Sequence, residues 1–214
     1  MSATPVGLYD IGSVISSATT LALAAIGQTI VVLSGGFDLS ASAVVSLANV
    51  LAVRFVQGSP VEQWAGAALI LAIGGGIGLV NGALIAWFRL QSIVVTLATM
   101  FMVQGLTLLI QNKPGGSVGD QFGAVLTADL IPDKMPMSAG LLIVALLIWS
   151  FIKRTRFGVG LYALGSDPDG AYANGMPVTR YRIATYALAG MFYAAAGWTR
   201  MRKAASNSQS RRAV

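Results

Sequence analysis

The sequence predicts an all-α membrane protein whose helices cross the bilayer about six times, and three observations favour this fold class. Of its 214 residues, 55% are hydrophobic and only 10% are charged, whereas a soluble domain carries about 25% charged residues. The mean hydropathy is +0.71. The apolar residues also fall in runs of roughly twenty, the length that a helix needs to cross about 30 Å of hydrocarbon. So few charges cannot cover a surface that faces water.

Six apolar segments are predicted to be the membrane-spanning helices, because glycine, proline or charged residues bound the runs. They are residues 11–33, 39–56, 64–88, 93–111, 137–152 and 183–199. The stretch between the fourth and fifth segments, 112–136, contains prolines, glycines and charges of both signs. It is predicted to be a loop in water.

The connections between the first three segments contain specific turn signals. The pair Gly35–Gly36 ends the first segment, and Asp38 is predicted to cap the second, because its carboxylate can accept hydrogen bonds from the orphan N–H groups of a helix. A ligand role is the alternative for Asp38. Trp64 is typical of an interfacial anchor for the third segment. Four glycines of that segment would permit close approach of a neighbouring helix: Gly74, Gly75, Gly76 and Gly78.

The loop charges predict the orientation of the chain, because lysine and arginine beside apolar segments mark the cytoplasmic side. The connection between the last two segments contains Lys153, Arg154, Arg156, Arg180 and Arg182. Alternation then places Arg89 inside, 112–136 outside, and residues 200–214 outside although they are basic. Positive charge resists translocation, and the segment 183–199 is shorter than the usual twenty residues. We therefore expect that segment to insert poorly, and the tail to be disordered and frequently cytoplasmic.

Several classes of chemistry are not expected. The chain has no cysteine and no histidine, which excludes disulfides and thiolate sites and removes the commonest metal ligand and general base. No metal site and no cofactor are therefore predicted. The sequence also lacks a glycine-rich phosphate loop followed by Lys-Ser/Thr, so the chain is not expected to bind ATP itself.

Two further functional classes are disfavoured by where the charges lie. The sequence pI near 10.0 is compatible with nucleic-acid binding, but the basic residues flank apolar segments, so no nucleic-acid partner is predicted. Asp10 and Asp38 faintly resemble the paired aspartates of intramembrane proteases, which must share one site. Both lie at segment ends and the glycine spacing differs, so the chain is not predicted to be an enzyme.

The connection 153–182 contains signals for a short helix at about residues 168–174. Asp167 can cap it, Pro168 suits its first position, and Gly175 supplies a left-handed stop. At 1.5 Å per residue this helix is about 10 Å long and cannot span a membrane. Two interpretations stay open: an ordinary capped loop helix, and a rigid element that transmits force from a docked protein to the membrane helices.

Between about residues 20 and 198 the chain contains a series of motifs: Gly27–Ser40 (GQTIVVLSGGFDLS), Asn81–Gly82, Thr96–Met100 (TLATM), Arg154–Gly158 (RTRFG), Tyr162–Gly165 (YALG) and Asn174–Val178 (NGMPV). Their order and spacing closely resemble those of the monosaccharide (ribose-type) ABC-transporter permeases. Branched-chain amino-acid permeases share the general plan but match the GGFDLS segment poorly. Family members usually carry one more span before the first segment and about three after the last, so the chain resembles a partial member.

The resemblance implies a multi-pass subunit of the inner membrane, with residues 1–199 as the permease domain and 200–214 as a polar, basic tail. It implies import of a ribose-like monosaccharide with several partners: ATP-binding subunits in the cytoplasm, a second permease copy, a periplasmic sugar-binding protein and membrane lipid. The short helix would then dock on the ATP-binding subunits, through Gly165, Asp167, Pro168, Ala171, Asn174 and Gly175. The alternative is a truncated or frame-shifted remnant without transport activity.

Polar side chains within the predicted segments have two alternative roles. They could hydrogen-bond a sugar that passes between subunits, or they could join helices to each other, because a polar side chain that faces lipid is costly. The candidates for a transport pathway are Gln28, Asn49, Asn81, Thr96, Thr99 and Gln104. The residues of the signature turn before the second segment are Gly35, Gly36, Asp38 and Ser40.

Overall fold

The computed structural model describes residues 8–112, 118–119, 129–131 and 135–200. These residues form eight helices: α1 (Leu8–Leu33), α2 (Ala41–Phe55), α3 (Pro60–Trp87), α4 (Ser92–Ile110), α5 (Met137–Ile152), α6 (Arg156–Ser166), α7 (Pro168–Ala173) and α8 (Val178–Arg200). The strands β1 (Asp129–Ile131) and β2 (Met135–Pro136) pair as a short antiparallel ribbon. The predicted all-α class is confirmed, and the ribbon corrects a stretch that was predicted to be loop alone. The predicted tail beyond residue 200 lies outside the described residues.

The six predicted segments are helical, and the starts of α3 and α8 differ most from the predicted ones. α3 begins at Pro60 instead of residue 64, because Ser59 and Glu62 form a capping box in which the Ser59 N–H donates to Glu62 Oε2 at 2.7 Å. α8 begins at Val178 instead of residue 183 and is 23 residues long. The prediction of a short last segment is therefore wrong, because the basic residues that were taken as its boundary are themselves helical.

Apolar length is unevenly distributed among the helices. Of the described helices, α3 and α4 are long and apolar enough to cross a membrane by themselves. Shorter apolar stretches lie at Ser17–Leu33, Ala41–Phe55 and Ala139–Ile152. This distribution agrees with the predicted membrane class, and the number of six spans stays a prediction.

α8 packs against α1, α2 and α3. On α3, Gly74, Gly78 and Gly82 recur at every fourth position and face α8. A Cβ on Gly78 would overlap the Tyr186 carbonyl, so this glycine stripe lets the two backbones approach closely. The predicted glycine contact is confirmed, except that Gly76 faces open space.

The connections that were predicted to be cytoplasmic meet at one end of the bundle. The α1–α2 connection contacts the start of α4, where the Phe37 N–H donates to Ser92 Oγ at 3.2 Å. It also contacts α6, where a Cβ on Gly165 would overlap the Leu33 carbonyl. The α2–α3 connection follows the far end of α2 and so lies at the opposite end. This separation agrees with the orientation that the loop charges predict.

Candidate functional site

The α1–α2 connection, residues 34–40, begins with a Schellman motif that ends α1. The Gly35 N–H donates to the Val32 carbonyl at 3.0 Å. The Gly36 N–H donates to the Val31 carbonyl at 3.1 Å. Gly35 has φ +76°, a left-handed conformation that glycine adopts without a Cβ penalty. The glycine pair of the signature turn therefore stops α1 and redirects the chain toward α2.

Asp38 follows the glycine pair and is almost fully buried. Its Oδ1 accepts hydrogen bonds from the Ser40 N–H at 2.9 Å and from the Ser40 hydroxyl at 2.6 Å. Ser40 is the N-cap residue of α2, so the prediction that Asp38 caps this helix is wrong; Asp38 instead positions the N-cap residue. Burial raises the pKa of the Asp38 carboxyl above its usual value, and the hydrogen bonds from Ser40 oppose that shift.

A chain of hydrogen bonds continues from Ser40 into α3 and α4. The Asn81 side-chain amide donates to Ser40 Oγ at 3.2 Å. The Thr99 hydroxyl donates to Asn81 Oδ1 at 2.6 Å. Ser40 and Asn81 are buried. Asp38, Ser40, Asn81 and Thr99, called the polar chain below, thus join the α1–α2 connection to α3 and α4.

Side chains from α4 and α8 hold the backbone of the same connection. The Leu39 N–H donates to Thr96 Oγ1 at 3.1 Å, and that hydroxyl donates to the Ser92 carbonyl at 2.8 Å. The Tyr186 hydroxyl donates to the Phe37 carbonyl at 3.4 Å. Because unpaired backbone groups away from water are costly, these bonds hold the connection against the first turns of α4 and the third turn of α8.

The remaining pathway candidates lie outside the polar chain. Gln28 Oε1 accepts from the Tyr193 hydroxyl at 2.9 Å, which joins α1 to α8. The Asn49 amide donates to the Gly197 carbonyl at 3.4 Å, which joins α2 to α8. Gln104 lies on the exposed face of α4. The observed bonds join helices, and a contact between any of these side chains and a sugar stays a prediction.

The predicted short helix is present as α7. Asp167 is its N-cap, with Oδ1 accepting from the Gly170 N–H at 2.9 Å, and Pro168 lies in its first turn. Asn174 is the C-cap residue, and Gly175 follows with φ +80° as the left-handed stop. None of the residues of α7 is buried. The capping signals in the sequence therefore identified this helix correctly, and its docking role stays a prediction.

Sequence reasoning missed α6, the helix that connects α5 to α7. Thr155 is its N-cap and accepts from the Gly158 N–H at 3.3 Å. Leu161 and Leu164 are buried, so the signal that identifies α6 is a cap followed by apolar residues at helical spacing. Gly165, which was predicted to belong to the docking element, lies in the last turn of α6 against the α1–α2 connection.

The chemistry that this end of the bundle offers is hydrogen bonding. In the part of the chain that the structure describes, there is no group of three or more His, Cys, Asp or Glu side chains that could hold a metal ion. The polar chain contributes hydroxyl, amide and carboxylate groups. Such groups suit interhelical bonding and the recognition of a hydroxyl-rich molecule.

Comparison with known proteins identifies the family. The permease family described as "Branched-chain amino acid transport system / permease component" matches residues 11–206. The chain belongs to this family. Its curated relatives include monosaccharide import permeases, in agreement with the predicted resemblance to the sugar branch. The chain is therefore a polytopic helical membrane protein of the ABC-transporter permease type.

Three relatives illustrate the similarity. The galactose/methyl galactoside import permease of Haemophilus influenzae is 30% identical over 212 residues, which cover 89% of this chain and 62% of that protein. The ribose import permease of Escherichia coli K12 is 30% identical over 198 residues, 89% of this chain and 60% of that protein. The D-allose transport system permease of E. coli K12 is 28% identical over 192 residues, which cover 88% of this chain and 58% of that protein. The chain thus spans about 60% of the length of these relatives. No solved structure matches it.

Proposed function

We propose that this chain forms part of the translocation pathway of an ATP-driven importer for a monosaccharide, as a multi-pass subunit of the inner membrane. The observation that carries the proposal is α7, a helix without a buried residue and capped at both ends, in a chain whose relatives are named as sugar import permeases. A helix that is exposed on its own chain is suited to docking a partner. In the proposed transporter that partner is a cytoplasmic ATP-binding subunit, where ATP is hydrolysed.

The exposed face of α4 supports a second permease copy beside this chain. In the most apolar 18-residue stretch of α4, only 22% is buried inside the bundle. Gln104 lies on the exposed side, where contact with lipid would leave its amide without hydrogen-bond partners. A second copy across this face would place Gln104 in a pathway between the two subunits. A periplasmic sugar-binding protein would deliver the sugar at the end of the bundle opposite α7.

The proposed substrate is a ribose-like monosaccharide. The three relatives are named for galactose, ribose and allose, all of which are hydroxyl-rich aldoses. Hydroxyl and amide side chains such as those of Thr99, Asn81 and Gln104 have the donors and acceptors that such a molecule needs.

Sugar uptake tests the proposal. Cells would carry this chain as the sole permease, together with the cognate ATP-binding subunit and binding protein, and uptake of radiolabelled ribose, galactose and allose would be measured. We expect ATP-dependent uptake of at least one of the three sugars. Absence of uptake by a chain that accumulates in the membrane would contradict the proposal and favour the alternative, a remnant without transport activity.

A charge in α7 tests the docking step separately. Ala171→Arg is expected to reduce uptake about tenfold or more, the effect of losing roughly 1.4 kcal/mol of docking free energy, while the chain stays in the membrane. Ala171→Ser is the matched control, because it changes the same position without adding charge or much bulk and should keep uptake near that of the unmodified chain. Equal uptake by both variants would remove the assignment of α7 as the docking helix.

A further inference from the structure

α7 is connected to the membrane helices through α6, and the two short helices form a continuous arm. Asp167 is the only residue between them, and it is both the C-cap residue of α6 and the N-cap residue of α7. The N-terminal half of α6 rests on α8, where the rings of Phe157 and Tyr181 stack with centroids 5.5 Å apart. The C-terminal end of α6, which is nearest α7, rests on the α1–α2 connection.

The contact at that end is made by backbone atoms. A Cβ on Gly165 would overlap the carbonyl of Leu33 and would lie 3.2 Å from the Gly35 nitrogen. A backbone carbonyl that ends a helix cannot rotate away as a flexible side chain could. A residue larger than glycine at position 165 would therefore separate α6 from the connection.

Gly165 is needed for this contact and not for its own backbone conformation. It lies within α6 and is not among the described glycines with positive φ, which are Gly35, Gly58 and Gly175. Alanine is a better helix former than glycine by about 1 kcal/mol. An alanine at position 165 would therefore suit α6 itself, and only the neighbouring connection would oppose it.

The connection on the other side of the contact is the segment that organises the polar chain. Phe37 is bound through its N–H to Ser92 of α4 and through its carbonyl to Tyr186 of α8. Asp38, the next residue, holds Ser40 at the start of α2. A displacement at Gly165 therefore reaches the starts of α2 and α4 and the third turn of α8 through one short segment.

We propose that the contact between Gly165 and Leu33 is the joint that couples α7 to the transport pathway. α6 and α7 move together with the α1–α2 connection, and the connection shifts the starts of α2 and α4 and the third turn of α8 around the polar chain. The inference rests on the proposed function, because it takes α7 as the helix that docks on an ATP-binding subunit. Gly165 acts as a positioning residue and does not contact sugar.

The first test needs only this chain. Because the chain has no cysteine, spin labels can be attached at Phe37→Cys and Tyr172→Cys, two exposed positions on either side of the joint. In lipid nanodiscs we expect a single narrow distribution of distances between the labels. Gly165→Ala is expected to make that distribution roughly twice as wide. Gly76→Ala is the matched control, because a Cβ there meets nothing within 4 Å, and its distribution should stay narrow. Equal widths in the two variants would overturn the joint, whatever the chain transports.

The second test measures coupling in the assembled transporter. Gly165→Ala is expected to lower the amount of sugar imported per ATP hydrolysed about tenfold, while a cysteine at Ala171 still crosslinks to the ATP-binding subunit at the control level. If the amount of sugar imported per ATP hydrolysed is unchanged, or if crosslinking is lost, the proposed role of the Gly165–Leu33 contact is contradicted. The proposed function would not be affected by either result. Absence of both uptake and crosslinking in the unmodified chain would overturn the proposed function and the joint together.

Discussion

α4 and α8 are both long helices of the bundle, but they differ in what surrounds them. The most apolar window of α4 has a mean hydropathy of 2.2, and only 22% of it is buried. α8 is not among the described helices that are apolar enough to cross a membrane by themselves. Its buried residues nevertheless include Tyr186, Ala189, Tyr193, Ala194 and Ala196.

The difference follows from the absence of a hydrophobic driving force between helices in a bilayer. Lipid tails are as apolar as leucine, so large apolar side chains gain little by leaving them, whereas small residues permit close helix packing and polar groups bond across helices. α4 exposes Phe101, Met102 and Leu109. α8 presents small residues and tyrosine hydroxyls to its neighbours. Burial in this protein therefore follows residue size and hydrogen bonding more closely than hydropathy.

The largest effect is expected from breaking the contact between α3 and α8. Gly78→Ala places a Cβ against the Tyr186 carbonyl, and overpacking of this kind costs about 1–3 kcal/mol or more. Thermal unfolding in detergent should show a clearly lower Tm. Gly76→Ala, the same change on the open side of α3, should keep or slightly raise the Tm of the unmodified chain, because alanine is the better helix former. Equal Tm values for the two variants would contradict the glycine-stripe packing.

The next largest effect on stability is expected at the buried polar residue Asn81, and it should exceed the effect at the exposed polar residue Gln104 if exposure, and not polarity, decides the role of a side chain. Asn81→Leu removes the partner of both Ser40 and Thr99, and leaving buried polar groups unpaired costs about 1–3 kcal/mol. We therefore expect a lower Tm for Asn81→Leu. Gln104→Leu, on the exposed face of α4, should leave Tm unchanged and lower sugar uptake. A Tm loss in Gln104→Leu would place that side chain in the fold and not in the pathway.

Asp38 is expected to make the stability of the chain depend on pH. Burial raises the pKa of this carboxyl above 3.8, so folding favours the protonated form. Its contribution to stability is then present at low pH and is lost as pH rises from 3.8 through the raised pKa. Asp38→Asn keeps an oxygen that accepts from Ser40 and removes the charge.

Measuring the free energy of unfolding across that pH range tests whether stability falls as pH rises. The unmodified chain should lose stability on going up through the range, and Asp38→Asn should lack this dependence. If uptake also persists in Asp38→Asn, the carboxylate has a structural role, whereas loss of uptake in a stable variant would favour the ligand role. Identical pH profiles for the two chains would show that Asp38 is not the titrating group.

The smallest effect is expected from a single interhelical hydrogen bond. Tyr193→Phe removes the donor to Gln28 that joins α1 to α8, and such bonds average about 0.6 kcal/mol in membranes. The Tm should fall slightly, by an amount that replicate measurements can detect. Tyr172→Phe on exposed α7 is the control and should not change it. A fall as large as that of Gly78→Ala would mean that hydrogen bonding outweighs close packing at α8.

The local signals of the sequence were sufficient for most helices and for the family. Apolar runs and the residues that end them placed the six long helices, and the cap, proline and glycine at 167, 168 and 175 placed α7. The starts of α3 and α8 were misjudged for local reasons as well. Pro60 is the first helical residue after Ser59, which forms a capping box with Glu62, and charged side chains can occupy the first turns of a helix at the membrane edge.

The partners of the polar residues depended on tertiary structure. Asn81 and Ser40 are 41 positions apart, and Asn49 and Gly197 are 148 apart, so no local pattern could pair them. The sequence marked Asp38 as a cap because that role needs only a nearby helix start, but in the fold Ser40 is the N-cap residue and Asp38 accepts hydrogen bonds from it. Gly165 was likewise visible as a motif residue, and only the fold shows that it lies against Leu33. By itself the sequence determined the helices and the family, because those signals are local or shared with relatives; the tertiary structure decided the contacts, because they join residues that are distant in the chain.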